Sequence, residues 1–232
     1  MTIMNGPQHL LIDADDTLWE NNIYFEEAFD EFVSYLDHSS LTPAEVRAVL
    51  DEIEIANVKI HGYGAANFAR NLAQCYERLA EREIRGEDLR AVMSFAERIL
   101  EHPMELIAGV EETLAYLSER HELTLFTKGH AEEQKLKIDR SGLGPHFRHL
   151  AIVREKDAEA YASLVEERAL DASRTWMVGN SPKSDINPAL AAGLNAVFIP
   201  HSRTWGLERE EIQNANGRLL ILEGFADLRQ HF

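Results

Sequence analysis

The chain has 232 residues, 45% of them hydrophobic, which is enough for one large domain or for a core domain that carries a smaller one. Its 40 acidic residues against 23 lysines and arginines give a formal net charge of −17. That charge repels phosphate backbones and anionic lipids, so we expect no nucleic-acid partner and no membrane partner. The lone Cys75 excludes an intrachain disulfide, and no apolar run approaches the roughly 18 residues of a membrane span, so we expect a cytoplasmic protein.

The first predicted element is a buried parallel strand within His9 to Asp15, where the apolar run HLLIDAD ends in carboxylates. Residues 20–103 then show four long helical patterns. Helix-start signals support them, since Thr42 followed by Pro43 and Glu45 forms a capping box. We therefore predict that residues 20–103 form an inserted all-helical cap domain.

Beyond residue 103, short apolar runs alternate with helical patterns. The predicted strands read ELTLFTKG, HLAIVR, TWMVGNS and NAVFIPH, helices lie between them, and a run RLLILEG precedes a closing helix. This alternation predicts an α/β fold with a doubly wound, mostly parallel sheet covered by helices on both faces. We assign residues 1–19 and 104–232 to this Rossmann-like core, in which ligands bind beyond the carboxyl ends of the strands.

Three acids crowd the end of the first predicted strand, namely Asp13, Asp15 and Asp16. Clustered carboxylates repel each other, and a bound divalent cation relieves that repulsion. Because every ligand on offer is an oxygen, Mg²⁺ is the cation that fits. Taken alone, the cluster is equally well read as an Asx-rich turn in which the side chains cap backbone groups.

The segment IDADDTLW resembles the first signature of the haloacid dehalogenase superfamily, in which Asp, any residue, Asp, any residue and Thr follow a hydrophobic strand. Three further segments are similar to the later signatures, in the same order. They are LTLFTKG with Thr127, IVREKDAEAY with Lys156, and WMVGNSPKSDINPALAAG with Asn180 and Asp185. The resemblance covers essentially the whole chain, and the helical insert looks like the family's cap domain in its helical form.

The resemblance implies a Mg²⁺-dependent phosphatase that acts on a small phosphorylated metabolite. It implies that Asp13 is the nucleophile that forms an aspartyl-phosphate, and that Asp15 is the general acid and base. Thr127, with neighbouring amides and the small Gly129, is expected to hold the phosphoryl group, and Lys156 to offset the charge. The implied metal ligands are Asp13, Asp15 through its backbone carbonyl, Asn180 and Asp185.

Three further residues are candidates for contacts with the phosphate or the leaving group. Lys128 competes with Lys156 as the phosphate cation, but its neighbouring position on the strand turns it to another side, so Lys156 is favoured. His61 and Tyr63 interrupt the helical block in KIHGYGAANF. They are predicted either to face the substrate or to form a simple turn between helices.

The sequence departs from the family pattern at Asn180, where the fourth signature usually has Asp after Gly. An Asn still offers its carbonyl oxygen, but the site loses one negative charge, which predicts weaker Mg²⁺ binding. Two alternatives stay open: a phosphomutase, which could use the same two aspartates, and, because of Asn180, a domain that binds a phosphorylated ligand or a partner with weak turnover. Dehalogenation of haloacids is disfavoured because family dehalogenases lack an acid at the position of Asp15.

Overall fold

The computed structural model describes residues 6–213 and 215–232, which divide into two compact units. The helical unit runs from Asn21 to Pro103, and the α/β unit comprises the chain up to Glu20 and from Met104 onward. Among the described residues, no helix combines the length and the apolar character that crossing a membrane requires.

Four helices build the helical unit: α1 (Asn22–Leu36), α2 (Pro43–His61), α3 (Ala65–Leu79) and α4 (Gly86–Glu97), with a 3-10 turn at Arg98–Glu101. The predicted capping box at the start of α2 is confirmed. The Thr42 hydroxyl accepts from the Glu45 amide at 3.3 Å, and the Glu45 carboxylate accepts from the Thr42 amide at 2.8 Å. The apolar sides of the helices share a core of their own, which includes Phe32, Leu50, Leu72, Cys75 and Val92.

The α/β unit contains a six-stranded sheet in the order β3-β2-β1-β4-β5-β6, counted over the described residues. The strands are β1 (His9–Ile12), β2 (Glu122–Lys128), β3 (His149–Val153), β4 (Thr175–Gly179), β5 (Asn195–Phe198) and β6 (Leu219–Ile221). Each of the five strand pairings is parallel, which confirms the predicted doubly wound α/β fold. The accompanying helices are α5 (Val110–Ser118), α6 (Ala131–Ser141), α7 (Ala158–Arg168) and α8 (Asn187–Ala191).

Strand β1 is the centre of the sheet and is buried on both faces. Leu10 and Ile12 pack into one hydrophobic cluster, whereas Leu11 packs into another with Phe126 and Met177. This alternation follows from the two-residue period of a strand. Since β2 lies on one side of β1 and β4 on the other, the strand order reverses here, and such a reversal opens a crevice at the carboxyl ends of the strands.

The pattern DINPALAAG predicts a helix over residues 185–193, and the segment after β4 differs from it. It begins earlier, with a π-helical turn at Pro182–Ile186, and continues into the short α8. Pro188 has no N–H with which to continue an ordinary helical ladder. The carbonyl oxygen of Ser184 instead accepts from the Tyr161 hydroxyl at 3.0 Å, which explains how the wide turn is stabilised. The predicted closing helix is a 3-10 helix at Phe225–Gln230.

Candidate active site

The carboxyl ends of the central strands bring four of the predicted site residues together. Asp13 directly follows β1, Lys156 lies in the loop after β3, and Asn180 and Asp185 follow β4. All four side chains are buried. Burial of this many polar groups in a small domain is unusual unless they pair with each other or bind a ligand.

Lys156 joins two of the acids. Its ammonium contacts Oδ1 of Asp13 in a short hydrogen bond and Oδ1 of Asp185 at 2.8 Å. Burial lowers the pKa of Lys156, but attraction to the two carboxylates outweighs that effect and raises the pKa overall. Lys156 is therefore a permanent positive charge between two acids.

One lysine does not fully offset two carboxylates. Burial raises the pKa of Asp13, repulsion from Asp185 raises it further, and Lys156 reverses only part of the effect, so that the pKa reaches about 7. A second positive charge near Asp13 would stabilise its ionised form at neutral pH. The electrostatics of the site therefore fit an additional cation.

Oxygen atoms suited to such a cation converge on Thr17. The Thr17 hydroxyl lies 3.1 Å from Oδ2 of Asp13 and 3.3 Å from Oδ1 of Asn180. A hydroxyl carries one proton and cannot satisfy both acceptors at once. The amide nitrogen of Asn180 donates to the Thr204 hydroxyl at 2.9 Å, so the carbonyl oxygen is the atom turned toward Asp13. Asp13 and Asn180 thus fit a Mg²⁺ ion as oxygen ligands.

Asp185 is held rigidly by its own turn. Its Oδ2 accepts from the Ser181 amide at 2.9 Å, while Oδ1 accepts from Lys156. Gly179 makes this position possible, because a Cβ there would lie 2.2 Å from Oδ2 of Asp185. Gly179 is thus required by its packing against Asp185, six residues later.

Asp15 has different partners from Asp13. Its carboxylate accepts from the Lys137 ammonium at 2.9 and 3.0 Å, from Gln134 at 2.8 Å and from the Trp19 indole at 2.8 Å. Burial raises the pKa of Asp15, but Lys137 and the hydrogen bonds hold it below its usual range. Asp15 is therefore ionised at neutral pH in this arrangement.

Asp13, Asp15 and Asp16, which the sequence places together at the end of the first strand, contact different partners in the structure, although Asp15 still contributes repulsion to Asp13. The chain turns sharply after β1, with Asp16 in the left-handed region at φ 59°. Each carboxylate consequently faces its own partners: Asp13 faces Lys156, Asp15 faces Lys137, and Asp16 lies 4.0 Å from a nitrogen of His201. The acid that repels Asp13 most strongly is Asp185, which is remote in sequence, and Asp15 adds a smaller repulsion.

Gly129 contacts Gln134, and its expected role beside the phosphoryl group stays a prediction. Its φ is +141°, and a Cβ there would lie 2.9 Å from the amide nitrogen of Gln134. That amide donates to Asp15 and to the carbonyl oxygen of Lys128 at 2.8 Å each. The space beside Gly129 is thus filled by Gln134, which positions Asp15.

Lys128 is held by acids other than Asp13. Its ammonium lies 2.7 Å from Glu208, 2.7 Å from the Ser184 hydroxyl and 3.3 Å from Glu155. Burial raises the pKa of the Glu208 carboxyl, but Lys128 and hydroxyls of Ser181 and Ser184 hold it below the usual range. Lys128 thus ties the end of β2 to the turn that carries Asp185, whereas Lys156 is the lysine in contact with Asp13.

The remaining candidates keep their predicted roles as predictions. Thr127 is buried near the end of β2, at 1% exposure. His61 is the exposed last residue of α2, and Tyr63 is half-buried in the turn before α3.

Sequence reasoning missed four contributors to the site, namely Thr17, Gln134, Lys137 and Glu208. Thr17 stands at the Thr position of the first signature, so the sequence could have predicted that it lies near Asp13. Gln134 and Lys137 are three residues apart in α6, a spacing that puts both on one side of a helix. Glu208 lies in a loop without a pattern, and nothing local predicts its contact with Lys128.

Comparisons with known proteins show the family to which the chain belongs. Residues 7–193 match the family model described as haloacid dehalogenase-like hydrolase. A haloacid dehalogenase-like family hydrolase from Xanthomonas campestris is 30% identical, with a TM-score of 0.79 over 96% of this chain and 92% of that one. The HAD-hydrolase YfnB of Bacillus subtilis is 28% identical over 108 residues, which span 44% of this chain and less than half, 46%, of YfnB.

More distant structures share the fold alone. The magnesium-bound crystal structure of YfnB has a TM-score of 0.68 at 17% identity, over 97% of this chain and 98% of that one. A predicted phosphoglycolate phosphatase from Haemophilus somnus has a TM-score of 0.67 at 17% identity, over 98% of both chains. The structure of an L-2-haloacid dehalogenase from Xanthobacter autotrophicus has a TM-score of 0.65 at 13% identity, over 97% of both chains. The chain belongs to the haloacid dehalogenase-like hydrolases, as its four signatures predicted.

Proposed function

We propose that this hydrolase is a Mg²⁺-dependent phosphatase that cleaves small phosphate monoesters through an aspartyl-phosphate on Asp13. The observation that carries the proposal is the pairing of a buried carboxylate with the ammonium of Lys156 beside the oxygen atoms of Thr17 and Asn180. A nucleophilic carboxylate that must approach a phosphate dianion needs such offsetting charge. When bound, Mg²⁺ supplies positive charge that lets the carboxylate and the phosphate come together.

In the first half-reaction, a carboxylate oxygen of Asp13 forms a bond to phosphorus while the bond from phosphorus to the leaving oxygen breaks. The leaving alkoxide takes a proton from Asp15 in its acid form. Lys156 offsets the charge of the nucleophile, and Thr127 donates to a phosphoryl oxygen. In the second half-reaction, Asp15 removes a proton from water, and the water oxygen attacks phosphorus to release inorganic phosphate and regenerate Asp13.

The contacts of Asp15 add a condition to this scheme. The ionised Asp15, bound to Lys137 and Gln134, is the form that the second half-reaction needs. For the first half-reaction Asp15 must gain a proton, and its contact with Lys137 must weaken. We therefore propose that substrate binding separates Asp15 from Lys137.

The direct test is hydrolysis of p-nitrophenyl phosphate with and without Mg²⁺, in wild type and in Asp13→Asn. We expect Mg²⁺-dependent release of p-nitrophenol that falls at least about 1,000-fold in the variant, because the attacking oxygen is replaced. Asp139→Asn is the matched control, since it makes the same exchange on the exposed side of α6 and should keep full activity. Equal hydrolysis by wild type and Asp13→Asn would show that Asp13 is not the nucleophile.

The same purified protein can be assayed to distinguish the phosphatase from the alternative functions. A phosphomutase would convert a sugar monophosphate into its isomer without net phosphate release. A dehalogenase would release halide from 2-chloropropionate, and a pure binding domain would do neither. We expect phosphate release alone, and a panel of phosphorylated metabolites, with His61→Ala and Tyr63→Ala compared on it, would identify the leaving group.

A further inference from the structure

A second group of metal-ligating side chains lies outside the Asp13 site. Asp16 in the turn after β1, Glu20 four residues later and His201 in the loop after β5 each offer one ligand atom. These three atoms lie within 4.8 Å of one another. Asp16 is buried and the other two are partly buried, so the group is not a solvated surface cluster.

The imidazole of His201 faces a carboxylate on each side. Nε2 lies 3.3 and 3.4 Å from the two carboxylate oxygens of Glu20, a position that suits Nε2–H as a hydrogen-bond donor to them. In that tautomer Nδ1 carries a lone pair. This nitrogen is buried and has no hydrogen-bond partner among the residues that the structure describes.

The gap beside Nδ1 has the size of a coordinated ion. The nearest Asp16 oxygen is 4.0 Å away, which is too long for a hydrogen bond even from a protonated ring. Two ligands at about 2 Å from a tetrahedral ion lie about 3.3 Å apart, so Nδ1 and the Asp16 oxygen would have to move slightly closer together around Zn²⁺. A lone pair and a carboxylate oxygen that face each other at partial burial also repel unless positive charge lies between them.

We propose that Asp16 and Nδ1 of His201 bind a divalent transition-metal ion, with Glu20 fixing the imidazole tautomer and adding a second negative charge. A carboxylate that accepts from the other ring nitrogen is the usual support of a metal-binding histidine. Imidazole together with carboxylate favours Zn²⁺ or Mn²⁺ over Mg²⁺, which prefers oxygen alone. The site is therefore distinct in chemistry from the all-oxygen set around Asp13.

Thr204 connects the proposed site to the catalytic one. Its hydroxyl donates to the carbonyl oxygen of His201 at 3.0 Å and accepts from the amide nitrogen of Asn180 at 2.9 Å. An ion on His201 would hold the loop that orients the Asn180 carbonyl oxygen. The metal thus acts as a structural support for the catalytic cation site.

The test is calorimetric titration of Zn²⁺ into chelator-treated protein in millimolar Mg²⁺, which occupies the oxygen site. We expect one Zn²⁺ per chain, and a Kd at least about tenfold weaker in His201→Gln and in Asp16→Asn. His149→Gln is the matched control, because Nε2 of His149 lies 3.5 Å from the single carboxylate of Glu122 and should not contribute. Asp13→Asn should still bind Zn²⁺, so failure of the Zn²⁺ proposal can be distinguished from failure of the proposed phosphatase activity.

Two results would overturn the proposal: no Zn²⁺ uptake by wild type, or unchanged affinity in a natively folded His201→Gln. Nitrogen-15 NMR of the wild-type imidazoles gives a readout that does not depend on a variant folding. Zn²⁺ should shift Nδ1 of His201 and leave its Nε2 protonated. A ring that carries protons on both nitrogens and does not respond to Zn²⁺ would show that a proton, not a metal, fills the gap.

Discussion

At Asn180, a neutral side chain stands where the fourth signature of the family usually has a carboxylate. The Thr204 hydroxyl accepts from its amide nitrogen, and this contact fixes which atom faces Asp13. A hydroxyl can also donate, but the Thr204 proton is already donated to the carbonyl oxygen of His201 at 3.0 Å. An Asp at this position keeps a partner in Thr204 only if that hydroxyl turns away from His201.

Asn180→Asp should tighten Mg²⁺ binding by about tenfold, a change of roughly 1.4 kcal/mol. The reason is that a carboxylate oxygen attracts the cation more strongly than an amide oxygen does. Titration calorimetry checks this, with Asn216→Asp in the exposed turn before β6 as a control of equal charge. Equal affinities in all three proteins would mean that residue 180 is not a ligand.

Lys137 is the residue whose loss should affect Asp15 most directly. Lys137→Met leaves a largely buried carboxylate with only Gln134 and Trp19 as partners, which should lower the free energy of unfolding by about 1–3 kcal/mol. Lys135→Met, on the exposed side of the same helix, should change it by less than about 0.5 kcal/mol. Urea unfolding at pH 7.5 measures both, and equal effects would contradict a special role for Lys137.

The sequence could locate those site residues that belong to a signature segment near the end of a strand. Asp13 and Lys156 were located by their signatures, and the structure joins them. The partners of Asp15 were not predictable, because they depend on how α6 packs beside the turn after β1. The same holds for Asp185, whose proximity to Asp13 depends on the order of strands in the sheet.

Among the elements, the π-helical turn at Pro182–Ile186 departs most from sequence expectation. The wide turn lets Asp185 reach Lys156 with one carboxylate oxygen and the Ser181 amide with the other. Turns of this kind are frequent at functional sites. Its close packing against Gly179 leaves no room for a side chain there.

Gly179→Ala should therefore displace Asp185 and lower the free energy of unfolding by about 3 kcal/mol. Thermal unfolding followed by circular dichroism measures the loss. Gly206→Ala is the matched control, since a Cβ at that glycine meets nothing within 4 Å. A Gly179→Ala protein as stable as the control would mean that the turn adapts to the added methyl.

The strands themselves were predictable from apolar runs, and five of the predicted runs contain the strands that follow β1. Their order was not, because periodicity reports which residues are buried and not which strand lies beside which. The classification as a doubly wound fold with a helical insert followed from the alternation of elements and from the four signatures.

At the scale of the molecule, His121 connects the start and the end of the α/β unit. Its Nδ1 accepts from the Gln8 amide at 3.1 Å, and its ring packs edge-on to Phe232 with centroids 5.9 Å apart. Burial lowers the pKa of His121 below 6.5. The neutral ring is thus the form that the folded state prefers.

The unfolded chain binds a proton on His121 more readily than the folded protein does, because the folded-state pKa is lowered. The contribution of neutral His121 to stability is therefore fully present above about pH 6.5. It is lost as the pH falls through the lowered folded-state pKa. Between pH 7.5 and 6.0, wild type should therefore lose more unfolding free energy than His121→Asn. Urea titrations at both pH values test this difference. A steeper loss in the variant would reverse the assigned direction of the pKa shift.

The position of β1 has a consequence for biosynthesis. His9 pairs with both Glu122 and Thr175. Strand β1 therefore cannot pair in the sheet until residues roughly 110 and 165 positions further along the chain have been synthesised. At about 5–20 residues per second, the ribosome needs on the order of ten seconds to produce the first of them. During that interval the nascent chain exposes the apolar stretch that precedes Asp13, and the growing polypeptide is then most exposed to aggregation and to capture by chaperones.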